Sequence, residues 1–209
     1  MKKSKIFILL FTLSFPVILY LFLRSYGQNE FDLPVFFETE VKAYCDNTNT
    51  NEENVKIYTQ EGDSIQLLES YSADFKVVHI PNSDNKEIQT LKNELNRVLN
   101  TFEDLSIDII SLQPKSANDS LIAEESFLNR DKAHSFWFDN NKQNQIVNCV
   151  YAFPTEQWKG SHPSEEEYLI YNTLVLLDKK NRIRGYYDGY ETKEVDRLIL
   201  EIRVLLSKD

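Results

Sequence analysis

The residue types in this chain that could carry chemistry are few and widely separated. The 209 residues include two cysteines, Cys45 and Cys149, and three histidines, His79, His134 and His162. Cysteines 104 positions apart do not form a C-x-x-C redox pair, and two thiols are too few for a four-cysteine zinc site. The five glycines do not cluster after a strand pattern, which excludes a phosphate-binding loop and a dinucleotide-binding motif.

The two cysteines have alternative interpretations. Cys45 lies in a polar N-terminal segment, and Cys149 lies on the apolar face of a predicted helix. In an oxidising compartment the two could form a disulfide that fastens the segment to the folded domain. Otherwise Cys149 is a small apolar residue of the core.

The histidines indicate at most a weak metal site. His79 lies in an apolar strand pattern, and His162 lies in a loop. With Asp84 and Glu87, these two side chains could bind a metal through nitrogen and oxygen, but no spacing requires it. The alternative is that His79, like His134, is a hydrogen-bonded structural residue. We therefore predict no metal site.

No group of side chains in the sequence indicates catalysis. Ser83 has no general base in its sequence pattern, and the acidic run over 165–167 is typical of a solvated loop. Catalytic acids need burial to raise their pKa, which such a loop does not provide. We therefore expect a protein that is not an enzyme and has no catalytic or cofactor-binding residues.

The N-terminal residues have the pattern of a membrane anchor. Three lysines among residues 1–5 precede an uncharged run over 6–23, which Arg24 ends. As a helix this run would extend about 27 Å, close to the thickness of a bilayer core. The basic flank predicts that residues 1–5 are cytoplasmic. The alternative is a cleaved signal peptide, with a mature chain that begins at Gln28.

This topology places the rest of the chain outside the cytoplasm. The whole chain has 23 basic and 33 acidic side chains, a formal charge of −10. The first 23 residues contain three lysines and no acids, so the exported part has a net charge of −13. Such a surface favours solubility and argues against nucleic-acid binding, which requires basic residues. We predict a single-pass protein of the inner membrane with a periplasmic C-terminal domain.

The exported part divides into a polar lead over 24–54 and a folded domain over 55–209. The lead ends in the low-complexity sequence DNTNTNEEN, which is typical of a spacer. In the domain, β-rich alternating runs predict strands, and apolar stripes at three- and four-residue spacing predict helices. The predicted strands cover 55–59, 64–68, 75–80, 106–112, 133–138, 168–177 and 182–187, and the predicted helices cover 86–105, 120–129, 141–153 and 195–206.

The order of these elements is β-β-β-α-β-α-β-α-β-β-α. Strands separated by helices imply parallel crossovers, whereas the two hairpins imply antiparallel pairs at the edges. The predicted fold is therefore α/β, with a mixed central sheet and helices on both faces. The thioredoxin fold with an added N-terminal β-hairpin has this order.

The C-terminal part of the sequence resembles a known family. The segment TLVLLDKKNRIRGYYDG over 173–189, followed by KEVDRLI over 193–199, resembles the C-terminal part of the SCO/SenC family. Members of this family are membrane-anchored, thioredoxin-like proteins that assist the assembly of the copper centre of cytochrome oxidase. Outside these two segments the chain matches the family only in the order of its elements.

The resemblance implies where a copper and thiol site should lie. Family members have a C-x-x-x-C pair at the start of the first long helix, whose N-terminus lowers the thiol pKa, and a histidine ahead of the strand over 173–177. Here Ser83 and Glu87 stand approximately at the cysteine positions, and Ile170 stands at the histidine position. These three side chains do not form a copper(I) site. We therefore expect a degenerate member without a cofactor, whereas intact members bind copper.

The expected function follows from the resemblance. The protein would act as an accessory or binding module in the assembly of respiratory cytochrome oxidase or its copper centre, held at the membrane by its N-terminal helix. Its expected partners are the oxidase or an intact SCO-type paralogue. Two alternatives remain: a thiol-disulfide or copper-handling protein that uses the residual cysteines and histidines, and a scaffold for a membrane complex.

Overall fold

The structure divides into two compact units between residues 32 and 33. The computed structural model describes residues 11–22, 33–37, 55–59, 61–67, 73–82, 86–115, 127–153 and 170–207.

The N-terminal unit contains a helix over 11–22. Its large apolar side chains, among them Phe11, Leu13 and Tyr20, are exposed. In the part of the chain that the structure describes, no helix is both long enough and apolar enough to cross a membrane. The predicted anchor over 6–23 extends beyond the described residues at both of its ends.

A mixed sheet of seven strands forms the centre of the second unit. The strands are β1 (Lys56–Tyr58), β2 (Ser64–Gln66), β3 (Phe75–His79), β4 (Ile107–Pro114), β5 (Ala133–Phe138), β6 (Thr173–Leu177) and β7 (Ile183–Asp188). Their order across the sheet is β2-β1-β5-β4-β3-β6-β7. β3, β4 and β5 run parallel to one another, and the other neighbouring pairs are antiparallel.

Two amphipathic helices cover one face of the sheet. Helix α1 extends over Ile88–Thr101, and helix α2 extends over Thr192–Leu206. Apolar residues three or four positions apart give each helix one stripe that faces the sheet. The buried residues of these stripes are Leu91, Leu95, Val98, Leu99, Val195, Leu198, Ile199, Ile202 and Leu205. With inward residues of β3, β4 and β6 they form the first core.

A short helical segment over 140–150 lies on the opposite face. It consists of a 3₁₀ turn, Asn140–Lys142, an α-turn, Gln143–Gln145, and a π-helical turn, Ile146–Val150. Apolar residues of the π-turn pack with residues from the other side of β3, β4, β5 and β6 in a second core. Helical elements therefore lie on both faces of the sheet, as the sequence predicts.

The element order confirms the predicted mixed α/β architecture. β3-α1-β4 is a parallel crossover, and β6-β7-α2 is an antiparallel hairpin followed by a helix. These two motifs, the crossover and the hairpin with its helix, together make the core of a thioredoxin-like fold. β1 and β2 form the added N-terminal hairpin, in which Gly62 takes a φ of 91°, and β1 joins the sheet beside β5.

The helix predicted over 141–153 is the largest departure from the sequence prediction. It ends at Val150, and its last turn is π-helical, with the Tyr151 amide donating to the Ile146 carbonyl at 3.1 Å. Four of the five residues in this turn are buried. Apolar spacing does not distinguish the two helix types over one turn, because residues four positions apart fall near the same face in both.

Two further elements differ from prediction. β6 begins at Thr173, five residues later than predicted, because residues 170–172 are helical. The helix predicted over 120–129 lies mostly outside the described residues, and residues 127–130, which are described, are not helical.

Part of the predicted lead, residues 33–37, belongs to the folded unit. The Phe36 amide donates to the Ile183 carbonyl of β7 at 2.9 Å. The Arg184 guanidinium donates to the Leu33 carbonyl at 2.6 Å. This segment is therefore fastened to β7 and is not a free spacer. The other residues of the lead lie outside the described ranges.

Two glycines of the C-terminal motif are required by packing. A Cβ atom at Gly185 would lie 2.2 Å from Tyr187 Oη, and one at Gly189 would lie 2.5 Å from Leu91 Cδ1. Tyr187 is fully buried, and its Oη donates to Glu201 Oε2 at 2.5 Å, which fixes the ring position. The sequence IRGYYDG, which carries much of the family resemblance, is thus a packing motif that makes room for a tyrosine and a helix.

The substitution Gly185→Ala should lower the free energy of unfolding by about 1–3 kcal/mol, because the new methyl group displaces the buried Tyr187 ring. Chemical denaturation of the full chain measures this change. In a Tyr187→Leu background the same substitution should cost much less, since the clashing ring and hydroxyl are absent. An equal cost in both backgrounds would contradict this explanation.

Candidate functional site

Two of the three predicted site positions, Glu87 and Ile170, lie at one end of the sheet. β3 and β6 are antiparallel neighbours, with Val78 opposite Val175. The residues after β3 and those before β6 therefore lie at the same end. α1 follows β3 and begins there with Glu87 as its N-cap residue, and Ile170 precedes β6. The fold thus brings Glu87 and Ile170 to the end of the sheet that the family resemblance implies.

Glu87 and Ile170 offer no copper(I) ligand. Glu87 is exposed, and its side chain makes no capping hydrogen bond to α1. Ile170 is partly buried and packs against the second core. Ser83 lies outside the described residues. Copper(I) prefers soft sulfur donors, and neither a carboxylate nor an isoleucine side chain supplies one.

His79 is a buried residue of β3. Its Nε2 lies 2.7 Å from Oγ of Ser111 on β4, and its ring meets Phe127 edge-on, with 4.8 Å between the ring centroids. Burial lowers the pKa of His79 to about 3, so the imidazole is neutral at physiological pH. Its other nitrogen, Nδ1, is buried without a hydrogen-bond partner. These contacts place His79 in the core of the domain.

His79 belongs to a row of polar side chains that sequence analysis missed. It pairs with Ser111 of β4, and Ser111 pairs with Ser135 of β5. Ser135 Oγ accepts a hydrogen bond from the Phe127 amide at 2.9 Å. Each of the three strands is otherwise mostly apolar and has one polar residue in this row. The row can be recognised only when the register between the strands is known.

The other histidines do not complete a metal site. His134 Nε2 lies 3.4 Å from Asp108 Oδ2, and its side chain is 39% exposed. His162 and Asp84 lie outside the described residues. Across the ranges that the structure describes, no three side chains of histidine, cysteine, aspartate or glutamate are grouped closely enough to hold a metal ion.

A charged cluster occupies the opposite end of β3. Lys76 is 1% exposed, and its Nζ donates to Asn181 Oδ1 at 3.0 Å. Burial lowers the pKa of Lys76, while nearby carboxylates, Asp178 first among them, oppose this shift. Asp178 accepts a hydrogen bond from Arg182 Nε at 2.9 Å and lies 3.4 Å from Arg184 Nη1. These contacts hold the turn between β6 and β7, away from the candidate site.

Cys149 is disulfide-bonded and 7% exposed. It lies in the π-helical turn of the 140–150 segment. The chain has one other cysteine, Cys45, which lies outside the described residues. A disulfide sulfur is not a thiolate, so Cys149 in this state neither binds a metal nor attacks another disulfide. Its pairing with Cys45 stays a prediction.

Protonation of His79 should contribute to the acid sensitivity of the fold. Its pKa is about 3 in the folded protein and 6.5 in an unperturbed chain, so the unfolded state binds the proton first as the pH falls. The free energy of unfolding should therefore fall by up to about 1.4 kcal/mol per pH unit below about pH 6. Above pH 7 His79 should cause no pH dependence of the free energy of unfolding, since it is neutral in both the folded and the unfolded state.

Urea denaturation between pH 7 and pH 4 measures this dependence. The matched control is the double variant His79→Leu/Ser111→Ala, which removes both polar partners together and so leaves neither one unsatisfied. The pH slope should be shallower in the double variant. The same slope in both proteins would show that another group is responsible.

A disulfide between Cys45 and Cys149 is expected in protein isolated without reductant. Proteolysis and mass spectrometry should detect the two cysteine peptides as one cross-linked species that separates on reduction. Cys45→Ser should abolish this species and lower the Tm, because the unfolded chain loses a loop constraint. Free thiols at both positions would rule out the pairing.

Comparisons with solved structures identify the fold. The Bacillus protein BsSco, a member of the Sco family of cytochrome c oxidase assembly proteins, superposes with a TM-score of 0.51 at 15% identity, over 71% of this chain and 89% of its own. Yeast Sco1 superposes with a TM-score of 0.50 at 12% identity, over 72% and 92%. Copper-bound ScoI of Arabidopsis thaliana superposes with a TM-score of 0.51 at 8% identity, over 71% and 96%.

The likeness to these proteins lies in structure. No protein-family model matches the sequence, and no curated protein matches it. At identities of 8–15% the shared property is the course of the backbone. This chain therefore has the thioredoxin-like fold of the Sco-family structures.

Proposed function

We propose that this protein is a membrane-tethered Sco-type protein that assists the assembly of a respiratory cytochrome oxidase without binding copper itself. The observation that carries the proposal is a shared fold with changed side chains at one end of its sheet. The likeness covers 89–96% of the three Sco chains, so it includes nearly the whole of each. At the corresponding end of this chain, Glu87 and Ile170 stand where the family resemblance places copper ligands.

The chemistry of the described side chains supports an accessory role. A protein that carries copper(I) has to present soft donors that the metal can reach. Glu87 presents a carboxylate, His79 is fully buried, and Cys149 is held in a disulfide. None of these three offers a free soft donor at the surface. The domain would therefore act by binding a partner protein.

The state of Cys149 also argues against thiol exchange as the main activity. Cysteines that exchange disulfides are accessible and have thiolates stabilised by their surroundings. Cys149 is 7% exposed and lies in a turn whose other buried residues are apolar. A disulfide at this position would serve to hold the chain together.

The proposed location follows from the sequence at the N-terminus. The uncharged run over 6–23, preceded by lysines, would tether the chain to the inner membrane with its domain in the periplasm. That position would keep the domain beside an oxidase in the same membrane. The proposed partners are the oxidase or an intact Sco-type paralogue.

Copper(I) titration of the full chain in detergent, against a competing chelator and without oxygen, tests the loss of the metal site. The background should be Cys45→Ser/Cys149→Ser, because a reductant would otherwise release the chain's own thiols. We expect no stoichiometric binding in this background. Tight binding of one copper(I) per chain would contradict the proposal.

A variant with restored ligands provides the positive control. Adding Ser83→Cys, Glu87→Cys and Ile170→His to the same background should create a site for one copper(I), since two thiolates and an imidazole would then lie at one end of the sheet. If the restored variant fails to bind copper(I), these three positions do not correspond to the family's ligands.

A further inference from the structure

The turn between β6 and β7 is an exposed basic surface on an acidic domain. It covers residues 178–182, with the sequence DKKNR. Lys179 and Lys180 are exposed, and the side chain of Arg182 is 37% exposed. The chain after residue 23 has 20 basic and 33 acidic side chains, a net charge of −13. Three neighbouring cations in one turn therefore reverse the charge of the domain locally.

The acid of this turn is already engaged by the chain itself. Asp178 is 5% exposed, and its Oδ1 accepts hydrogen bonds from the amides of Lys180 and Arg182 at 2.9 and 3.0 Å. Its Oδ2 accepts from Arg182 Nε at 2.9 Å and from Arg184 Nη1 at 3.4 Å. Two arginines more than balance this one carboxylate, so it leaves the charge of the exposed lysines in place.

The other described acids at this end of the sheet leave the turn basic. Asp74 is exposed and lies two residues before Lys76, which pairs with Leu177, so it lies beside the turn. The local balance is +2, from four cations and two carboxylates: Lys179, Lys180, Arg182 and Arg184 against Asp74 and Asp178. The loops before β4 and β5 lie at least three strands from β7, about 14 Å, which exceeds the screening length of about 8 Å at physiological salt.

The apolar residues 33–37 lie next to this turn. Arg184 donates to the Leu33 carbonyl at 2.6 Å and also contacts Asp178, and the Phe36 amide donates to the Ile183 carbonyl. Pro34 and Phe36 are exposed. Aromatic and basic side chains together are typical of the interface between a membrane and water. These exposed residues form the turn surface: Pro34, Phe36, Lys179 and Lys180.

The sequence limits how far the turn surface can lie from a membrane. Leu33 follows the end of the uncharged run at residue 23 by ten positions. Ten residues of fully extended chain span about 35 Å. Because residues 33–37 are hydrogen-bonded to β7, a tether over 6–23 would keep the turn surface within about this reach of the lipid headgroups. A tether of this length gives a high local concentration, so a small basic surface is sufficient for binding.

We propose that the turn surface binds the surface of a bilayer that contains anionic phospholipid. Lys179 and Lys180 would interact with the phosphate groups, and Phe36 would lie among the headgroups. This inference rests on the membrane tether that forms part of the proposed function. It adds a second, non-covalent contact with the lipid, made by the folded domain itself.

Binding through the turn surface would orient the domain. β6 ends at Leu177 and β7 begins at Ile183, so the turn lies at one end of these strands. Ile170, which precedes β6, and Glu87, at the start of α1, lie at the other end. The candidate end would therefore face away from the lipid, where a partner protein can reach it.

Amine labelling of the full chain in lipid nanodiscs tests this contact. An uncharged N-hydroxysuccinimide ester of acetic acid labels exposed lysines, and peptide mass spectrometry gives the rate at each one. In discs that contain phosphatidylglycerol the rates at Lys179 and Lys180 should fall about threefold relative to phosphatidylcholine discs. Sodium chloride at about 1 M should reverse the fall, because it screens the attraction. Lys86 and Lys193 are exposed at the opposite end of the sheet and should label equally in both discs.

Removing one lysine should weaken the protection of the other. In phosphatidylglycerol discs, Lys179→Gln should return the labelling rate of Lys180 most of the way to its value in phosphatidylcholine, because the loss of one cation weakens binding about fivefold. Lys180→Gln should do the same for Lys179. Lys193→Gln is the matched control, since it makes the same charge change at the other end of the sheet and should leave both rates unchanged.

Co-elution of the chain with the discs reports on the tether separately. A chain that does not co-elute would overturn the tether and the lipid contact together. A chain that co-elutes, but whose Lys179 and Lys180 label equally in both kinds of disc, would overturn the lipid contact and leave the tether in place. Equal protection of all four lysines would also overturn the contact, because it would be a general effect of the anionic discs on labelling.

Discussion

The burial of β3 on both faces is the constraint on which the rest of the structure depends. All five of its residues are buried, and it pairs with β4 along one edge and with β6 along the other. Strands buried in this way are usually continuous apolar runs. β3 departs from that rule at Lys76 and His79, and each polar group is tied to a neighbouring element, Lys76 to Asn181 and His79 to Ser111. The two helices on one face and the 140–150 segment on the other close over a strand that carries both groups.

These two polar residues give the sheet unlike ends. At the Lys76 end, Asp178 accepts hydrogen bonds from Arg182 and Arg184, so the charges hold the chain in place. At the His79 end the buried imidazole is neutral at physiological pH, and its Nδ1 has no hydrogen-bond partner. Proteins tend to break the rules of packing and hydrogen bonding where they function. The His79 end of the sheet is also the end where the family resemblance places a functional site.

The sequence predicts those parts of the fold that depend on neighbouring residues. The strand Ala133–Phe138 has its predicted bounds, and both long helices follow from their apolar stripes, because each pattern is complete within one element. The segment predicted as a helix over 141–153 has the right location but the wrong type, since one π-turn leaves no distinct mark on apolar spacing. At the site, the resemblance placed Glu87 and Ile170 at one end of the sheet. The polar row of His79, Ser111 and Ser135 was missed, because it depends on the register between three strands that lie far apart in the sequence.

The contact between residues 33–37 and β7 limits how this protein can bind other protein chains through its sheet edges. An open sheet edge is a template for an additional strand, and pairing there leads to uncontrolled association. On β7 the Phe36 amide already occupies the Ile183 carbonyl, and at the far edge β2 is only three residues long. Neither edge strand is a good template, so the sheet does not readily add a strand from a partner chain. Among the residues that the structure describes, the surfaces left for recognition are the two ends of the sheet and the outer sides of its helices, and a partner that docks there meets a sheet already complete in width.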